Sequence, residues 1–138
     1  MLSEKQENFR DRITALSKKI APQYGVDWRL MTAAAILETG WGTSELARRA
    51  KNLFGIKATG RTPEIETYSI NGERYRKYAN EEDACHSYGW HMAKSSHYAP
   101  ARDAALIAFV ETMSPVYCPP DPKYPEKLMH LIAAMPHD

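Results

Sequence analysis

Apolar residues fall at Phe9, Ile13, Leu16 and Ile20, three or four apart, with charged and polar residues between them. That spacing lays one apolar stripe along a helix. Ser3 followed by Gln6 forms a capping box ahead of the stripe, so the pattern predicts an amphipathic helix that ends near Pro22. A denser run follows in "WRLMTAAAILET". Asp27 is placed to cap it, and Gly40 and Gly42 stop it just beyond Glu38. Thr43 then opens a short basic helix through "SELARRAK".

Residues 64–78, "EIETYSINGERYRKY", change period. β-Branched and aromatic residues flank Asn71-Gly72, the strongest short signal for a two-residue hairpin turn. Counting outward pairs Ile70 with Glu73, Tyr68 with Tyr75 and Glu66 with Lys77, and puts Glu64, Glu66 and Tyr68 on one face. Helical spacing returns after Asn80 in "EEDACHSYGWHMAK". It continues in "DAALIAFVETM", with Leu106, Phe109, Val110 and Met113 as one stripe, and in a last helix entered at Pro125 that carries Leu128, Leu131, Ile132 and Met135. The expected class is α+β, mainly α: a helical body with one small β-hairpin.

Length and charge narrow the picture. At 138 residues with 43% hydrophobic content, residues 1–138 are expected to form one domain with one core, and a monomer is expected. Eighteen Lys and Arg against seventeen Asp and Glu leave a net charge of +1, so no global field draws the protein to nucleic acid. No apolar run reaches membrane-spanning length, so no membrane insertion is expected, and "MLSEKQENFRDRI" lacks the basic start and apolar stretch of a secretory signal. Cys85 and Cys118, far apart in sequence, make neither a close metal pair nor a disulfide framework, and fit reduced thiols or one bridge.

The chemistry starts at Glu38. Met31, Ala34, Ala35 and Glu38 share a helix face, so this carboxylate lies on the stripe most apt to be buried, and it stands at the helix end where the dipole favours a cation. A surface glutamate at a fraying terminus is the bland reading. The functional one is that burial beside Trp41 disfavours the charged form and keeps a carboxylic acid able to donate a proton.

"AAAILETGWGTSELARRAKNLFGIKA", residues 33–58, resembles the signature of the bacterial and phage N-acetylglucosaminidases of glycoside hydrolase family 73. It carries Glu38-Thr39-Gly40-Trp41-Gly42 and then Asn52-Leu53-Phe54-Gly55-Ile56-Lys57; "RYRKYANEEDACHSY" and "VYCPPDPKYPEKLMHLI" are similar to later family segments. The resemblance implies a lysozyme-like helical domain with a hairpin lobe. It also implies an endo-acting hydrolase of the β-1,4 bond after N-acetylglucosamine in peptidoglycan, with Glu38 as general acid and no cofactor or metal. Tyr117 resembles the family's late tyrosine near the catalytic pair.

In the family a second carboxylate comes from the hairpin, and this hairpin is short: Tyr68 stands four residues before Gly72. Glu66 is the expected second group, with Glu64 as its alternative; the competing role for Glu66 is a surface ion pair with Lys77. Without either, the substrate's N-acetyl group would serve as nucleophile. Sugar faces pack on aromatic rings, which makes Trp41, Phe54, Tyr68 and Tyr78 candidate substrate contacts, with core packing the rival role for Phe54. Asn52 either contacts substrate or fixes the loop beneath it. His86 and His91, five apart, sit about 140° around a helix and do not share a metal ion as an i, i+4 pair does. Arg48, Arg49 and Lys51 read as a solvated face or a contact for an acidic wall polymer.

The rival functions are a muramidase or lytic transglycosylase, separable by the sugar end that is released, and a non-catalytic wall-binding module with a degenerate site. Peptidoglycan lies outside the cytoplasmic membrane, so an enzyme without a signal is expected to reach the wall by a phage holin, a virion or a dedicated secretion route.

Overall fold

A computed structural model describes residues 2–58, 66–94 and 123–135. Helix α1 runs Glu4–Ile20 from the expected box: the Ser3 hydroxyl accepts from the Gln6 amide at 3.1 Å, and the Gln6 side chain accepts from the Ser3 amide at 2.9 Å. Phe9, Ile13 and Ile20 are buried, and Leu16 packs at the edge of the core. A 3-10 turn, Ala21–Tyr24, leads into α2, Trp28–Thr39, which Asp27 caps at the Arg29 amide. Helix α3, Glu45–Ala50, starts one residue later than expected: Ser44 is its cap, while the Thr43 hydroxyl donates to the Gly40 carbonyl at 2.8 Å. Both hydroxyls suit a cap, and the tight turn after α2 takes the first for itself.

The hairpin has the counted register. Strands β1, Thr67–Ile70, and β2, Glu73–Arg76, pair antiparallel with Tyr68 opposite Tyr75 and Ile70 opposite Glu73. Asn71 and Gly72 both have positive φ, as a turn matched to strand twist requires. Residues 56–58 line the other edge of β2, where the Arg76 amide donates to the Ile56 carbonyl and the Ala58 amide to the Arg74 carbonyl. Helix α4, Glu81–Lys94, and helix α5, Tyr124–Ala133, complete the described body.

Helix α2 is the centre. Leu30 through Ile36 are all buried, with α1 and α5 packed against them. Helix α4 packs on α1 and on the 3-10 turn, where Arg12 holds Glu81 through two bonds of 2.7 and 3.1 Å and Lys19 meets Glu82 at 2.7 Å. Gly89 of α4 lets the Tyr24 ring approach so closely that a Cβ there would lie 2.4 Å from it. The architecture is mainly α with a two-stranded lobe. Among the described residues no helix is long and apolar enough to cross a membrane. The stripe Leu106, Phe109, Val110 and Met113 lies outside the described residues.

Candidate active site

The chain leaves α2 within three residues of Glu38, and the side chains after it build that turn. The buried Thr39 hydroxyl donates to the Ala35 carbonyl at 2.6 Å and accepts from the Gly42 amide at 2.7 Å. The amides of Gly40 and Trp41 both return to the Ile36 carbonyl. Gly42 has φ +83, and a Cβ there would stand 2.4 Å from the Phe9 ring, so only glycine lets α1 close on this corner. Trp41 has φ +62, a conformation that costs a side-chain-bearing residue about 1–3 kcal/mol and persists where its surroundings impose it. Glu38 itself is half-buried, the first position after the apolar run with access to solvent beside Leu37.

Opposite the carboxylate stands the loop from Asn52 to Ile56. Asn52 is 1% exposed and spends its amide on this loop. Its Nδ2 donates to the carbonyls of Ile56 and Arg76, both at 2.9 Å, and its Oδ1 accepts from the amides of Phe54 at 3.3 Å and Ile56 at 3.1 Å. Two donors and two lone pairs are the full capacity of an amide. One side chain thus ties the loop to itself and to the hairpin. The loop turns at Gly55, φ +68, and a Cβ built there would lie 3.2 Å from Glu38 Oε2. The carboxylate therefore sits between the end of α2 and the base of the hairpin, against a backbone that carries no side chain.

The expected substrate contacts divide. Phe54 is 1% exposed and stacks on Tyr88 with ring centres 4.2 Å apart, so its ring is core and closed to a sugar. Asn52 is likewise buried on backbone and does not reach substrate; it is the loop's fastener. The half-buried Tyr78 hydroxyl donates to Ser87 Oγ at 2.7 Å, and burial, against that bond, raises its pKa. Trp41 lines a groove of about 510 Å³ between the end of α2 and α5, with Leu37, Lys127, His130 and Leu131; Glu38 is not among its walls.

On the hairpin, Tyr68 donates its hydroxyl to Glu45 of α3 at 2.5 Å, and that bond holds its own proton more tightly than usual. Glu66 is exposed, its carbonyl accepting from the Lys77 amide at 2.9 Å. Among the described residues the Glu66 carboxylate has no ion pair, Lys77 included, so the surface pair that was its competing role is absent there. Glu64 and Tyr117 lie outside the described residues. Gly55, Thr39 and Glu45 escaped the sequence reading. The spacing Asn-x-x-Gly was the available signal for Gly55.

His86 Nδ1 meets the Tyr24 hydroxyl at 2.8 Å, and His91 Nδ1 donates to the Ser87 carbonyl at 2.7 Å. Among the described residues no three His, Cys, Asp or Glu come together to hold a metal ion. Cys85 is a buried thiol with its pKa pushed up to about 12, first by burial and then by Glu81 and Glu82. Cys118 lies outside the described residues.

Comparison with known proteins gives a consistent set. The sequence matches the glucosaminidase family, described as mannosyl-glycoprotein endo-beta-N-acetylglucosaminidase, over residues 14–136. The peptidoglycan hydrolase FlgJ of Salmonella typhimurium is 30% identical, the match covering 95% of this chain and 46% of that protein. FlgJ of Pseudomonas aeruginosa is 27% identical over 94% of this chain and 36% of its own length. The chain thus spans between about a third and a half of these curated relatives. A crystal structure of a peptidoglycan hydrolase from Sphingomonas sp. A1 superposes with a TM-score of 0.74 at 30% identity, covering 91% of this chain and 86% of that one.

Proposed function

The chain belongs to the glucosaminidase family, and on that premise we propose that it is a glycoside hydrolase of peptidoglycan, cutting within glycan strands at the β-1,4 bond after N-acetylglucosamine. The observation that carries the reading is the placement of Glu38. It is a half-buried carboxylate at the end of a buried helix, facing the Gly55 backbone of a loop fastened to the hairpin. A carboxylic acid held there protonates the leaving glycosidic oxygen as the bond breaks, while the Asn52 bonds fix the wall against which the sugar is oriented.

The second group comes from the hairpin side in this reading. Glu66, exposed and without an ion pair among the described residues, is the first choice; Glu64, two residues upstream in sequence, is its alternative, and Tyr117 is assigned the assisting role of the family's late tyrosine. The protein works as a monomer at the cell wall, without cofactor or metal. Mass spectrometry of the fragments after digestion of purified peptidoglycan tests the activity. New reducing ends on N-acetylglucosamine are expected. Reducing N-acetylmuramic acid or 1,6-anhydro ends would replace this assignment with a muramidase or a lytic transglycosylase, and unchanged strands would leave a wall-binding module. Internal fragments, rather than single sugars released from an end, are expected of an endo-acting enzyme.

A further inference from the structure

Two cations meet at one polar groove. Arg49 of α3 and Lys77, just past β2, belong to no ion pair among the described residues. Both line a groove of about 440 Å³ whose other walls, among the described residues, are Thr67, Tyr68 and Ser69 of β1. Glu45 of α3 takes the Tyr68 hydroxyl, which also fixes that ring, and Glu66, opposite Lys77 on the hairpin, makes no ion pair with it.

The hairpin register says what else the groove offers. Antiparallel pairs alternate between residues that exchange both backbone bonds and residues that turn theirs outward. Across the two-residue turn, Ile70–Glu73, Tyr68–Tyr75 and then Glu66–Lys77 are the bonded pairs, and the Lys77 amide donates to the Glu66 carbonyl as this requires. Arg74 and Arg76 accordingly turn their backbone groups outward, where residues 56–58 take them. Their partners Ser69 and Thr67 must then present amide and carbonyl on the opposite edge, the edge that borders the groove. A strand edge beside two cations that make no ion pair among the described residues suits an extended chain that carries carboxylates, since main-chain pairing sets its line and the charges fix its acid groups.

We propose that this groove receives the acidic peptide borne by the muramic acid residues of peptidoglycan: the peptide adds to the β1 edge at Thr67 and Ser69, and a carboxylate meets Arg49 and Lys77. The assignment rests on the peptidoglycan reading and refines it, because it makes peptide-bearing strands better substrates than bare ones.

Two measurements test it. In the first, wild-type protein and the Arg49→Ala/Lys77→Ala double variant digest strands freed of phosphate polymers, either with their peptides or stripped of them by an amidase. Wild type is expected to favour the peptide-bearing strands in kcat/KM. The double variant should lose on the order of tenfold there, through KM, with no loss on stripped strands. Equal wild-type rates on both strands, or an equal loss on both, would overturn the proposal, as would a preference that exists only while phosphate polymers remain. In the second, a synthetic acidic stem tetrapeptide is titrated into the uncleaving Glu38→Gln variant while the amide resonances of Thr67 and Ser69 are followed. Those resonances are expected to shift, and the shift should vanish with the carboxamide peptide and with Arg49→Ala/Lys77→Ala added. Unmoved amides would overturn the groove assignment even where cleavage proceeds. Shifting amides in this variant, with wild type releasing no reducing N-acetylglucosamine from purified peptidoglycan, would support the groove and retire the glucosaminidase reading instead.

Discussion

Asn52 shows how one residue sets the geometry of another. Its four bonds hold the loop that faces Glu38, so truncation orphans buried backbone groups and frees the loop at once. Asn52→Ala should cost about 1–3 kcal/mol for each buried group left without a partner and lower turnover as well, read by thermal melting and by product release. Glu38→Gln should do the opposite: the shape stays and the proton is gone, so turnover falls ~10²–10⁴-fold with an unchanged melting temperature. Turnover like wild type in that variant, with its mass verified, would remove Glu38 from the chemistry. At this scale the half-buried position of Glu38 at the end of α2 was legible, because a carboxylate at the end of an apolar stripe is an anomaly a sequence displays. The surroundings of Phe54 and Trp41 were not. An aromatic residue looks the same in sequence whether it stacks in the core on Tyr88 or lines a groove against α5, and only the path of the backbone decides.

Elements were the most legible level, since each carries its own punctuation. The Ser3–Gln6 box, the Asp27 cap and the Asn71-Gly72 turn are local signals whose bonds close within three residues, so they need no tertiary context. What the local signals omit is how elements press on each other. Gly89 lies inside α4, where alanine would add about 1 kcal/mol of helix propensity. Yet its Cβ would stand 2.4 Å from the Tyr24 ring of the 3-10 turn. Gly89→Ala should therefore destabilise the protein, by about 1–3 kcal/mol from overpacking, and a higher melting temperature would show that the turn yields freely. The hairpin carries a second test. Glu66→Ala should lower turnover strongly with little change in melting, because its carboxylate makes no ion pair among the described residues. A mild Glu66→Ala beside a dead Glu64→Ala moves the role two residues upstream, and activity surviving both points to the substrate's own acetamido group.

For the whole molecule, the single helical core around α2 follows from the count of apolar stripes, but the electrical consequences of burial do not, because they depend on which polar groups the stripes carry inward. Two such groups frame stability from opposite sides. Burial, with Arg76 acting in the same direction against a bond to the Ser87 carbonyl, lowers the His91 pKa below its ordinary value of 6.5. As pH falls below about 6.5 the unfolded chain takes up this proton before the folded one does, and stability declines. Cys85 works on the alkaline side. Its thiol keeps its proton up to about 12 when folded, whereas the unfolded chain releases it near 9, so stability declines as pH rises from about 9 towards 12. Asp27 and Glu82 do not blur the acid side: both are lowered on balance, Asp27 because its Arg29 contacts outweigh burial and Glu82 by its bond to Lys19. Their contribution is lost only below about 4. Melting temperature against pH should therefore show a plateau between about 6.5 and 9. His91→Gln should flatten the slope between 5 and 6.5, and Cys85→Ala the slope between 9 and 10, before Tyr78, raised by burial from its ordinary 10, begins to contribute. The slopes carry the test, since each substitution also shifts the baseline by altering packing. An alkaline slope that Cys85→Ala leaves unchanged would mean that this thiol titrates alike in both states.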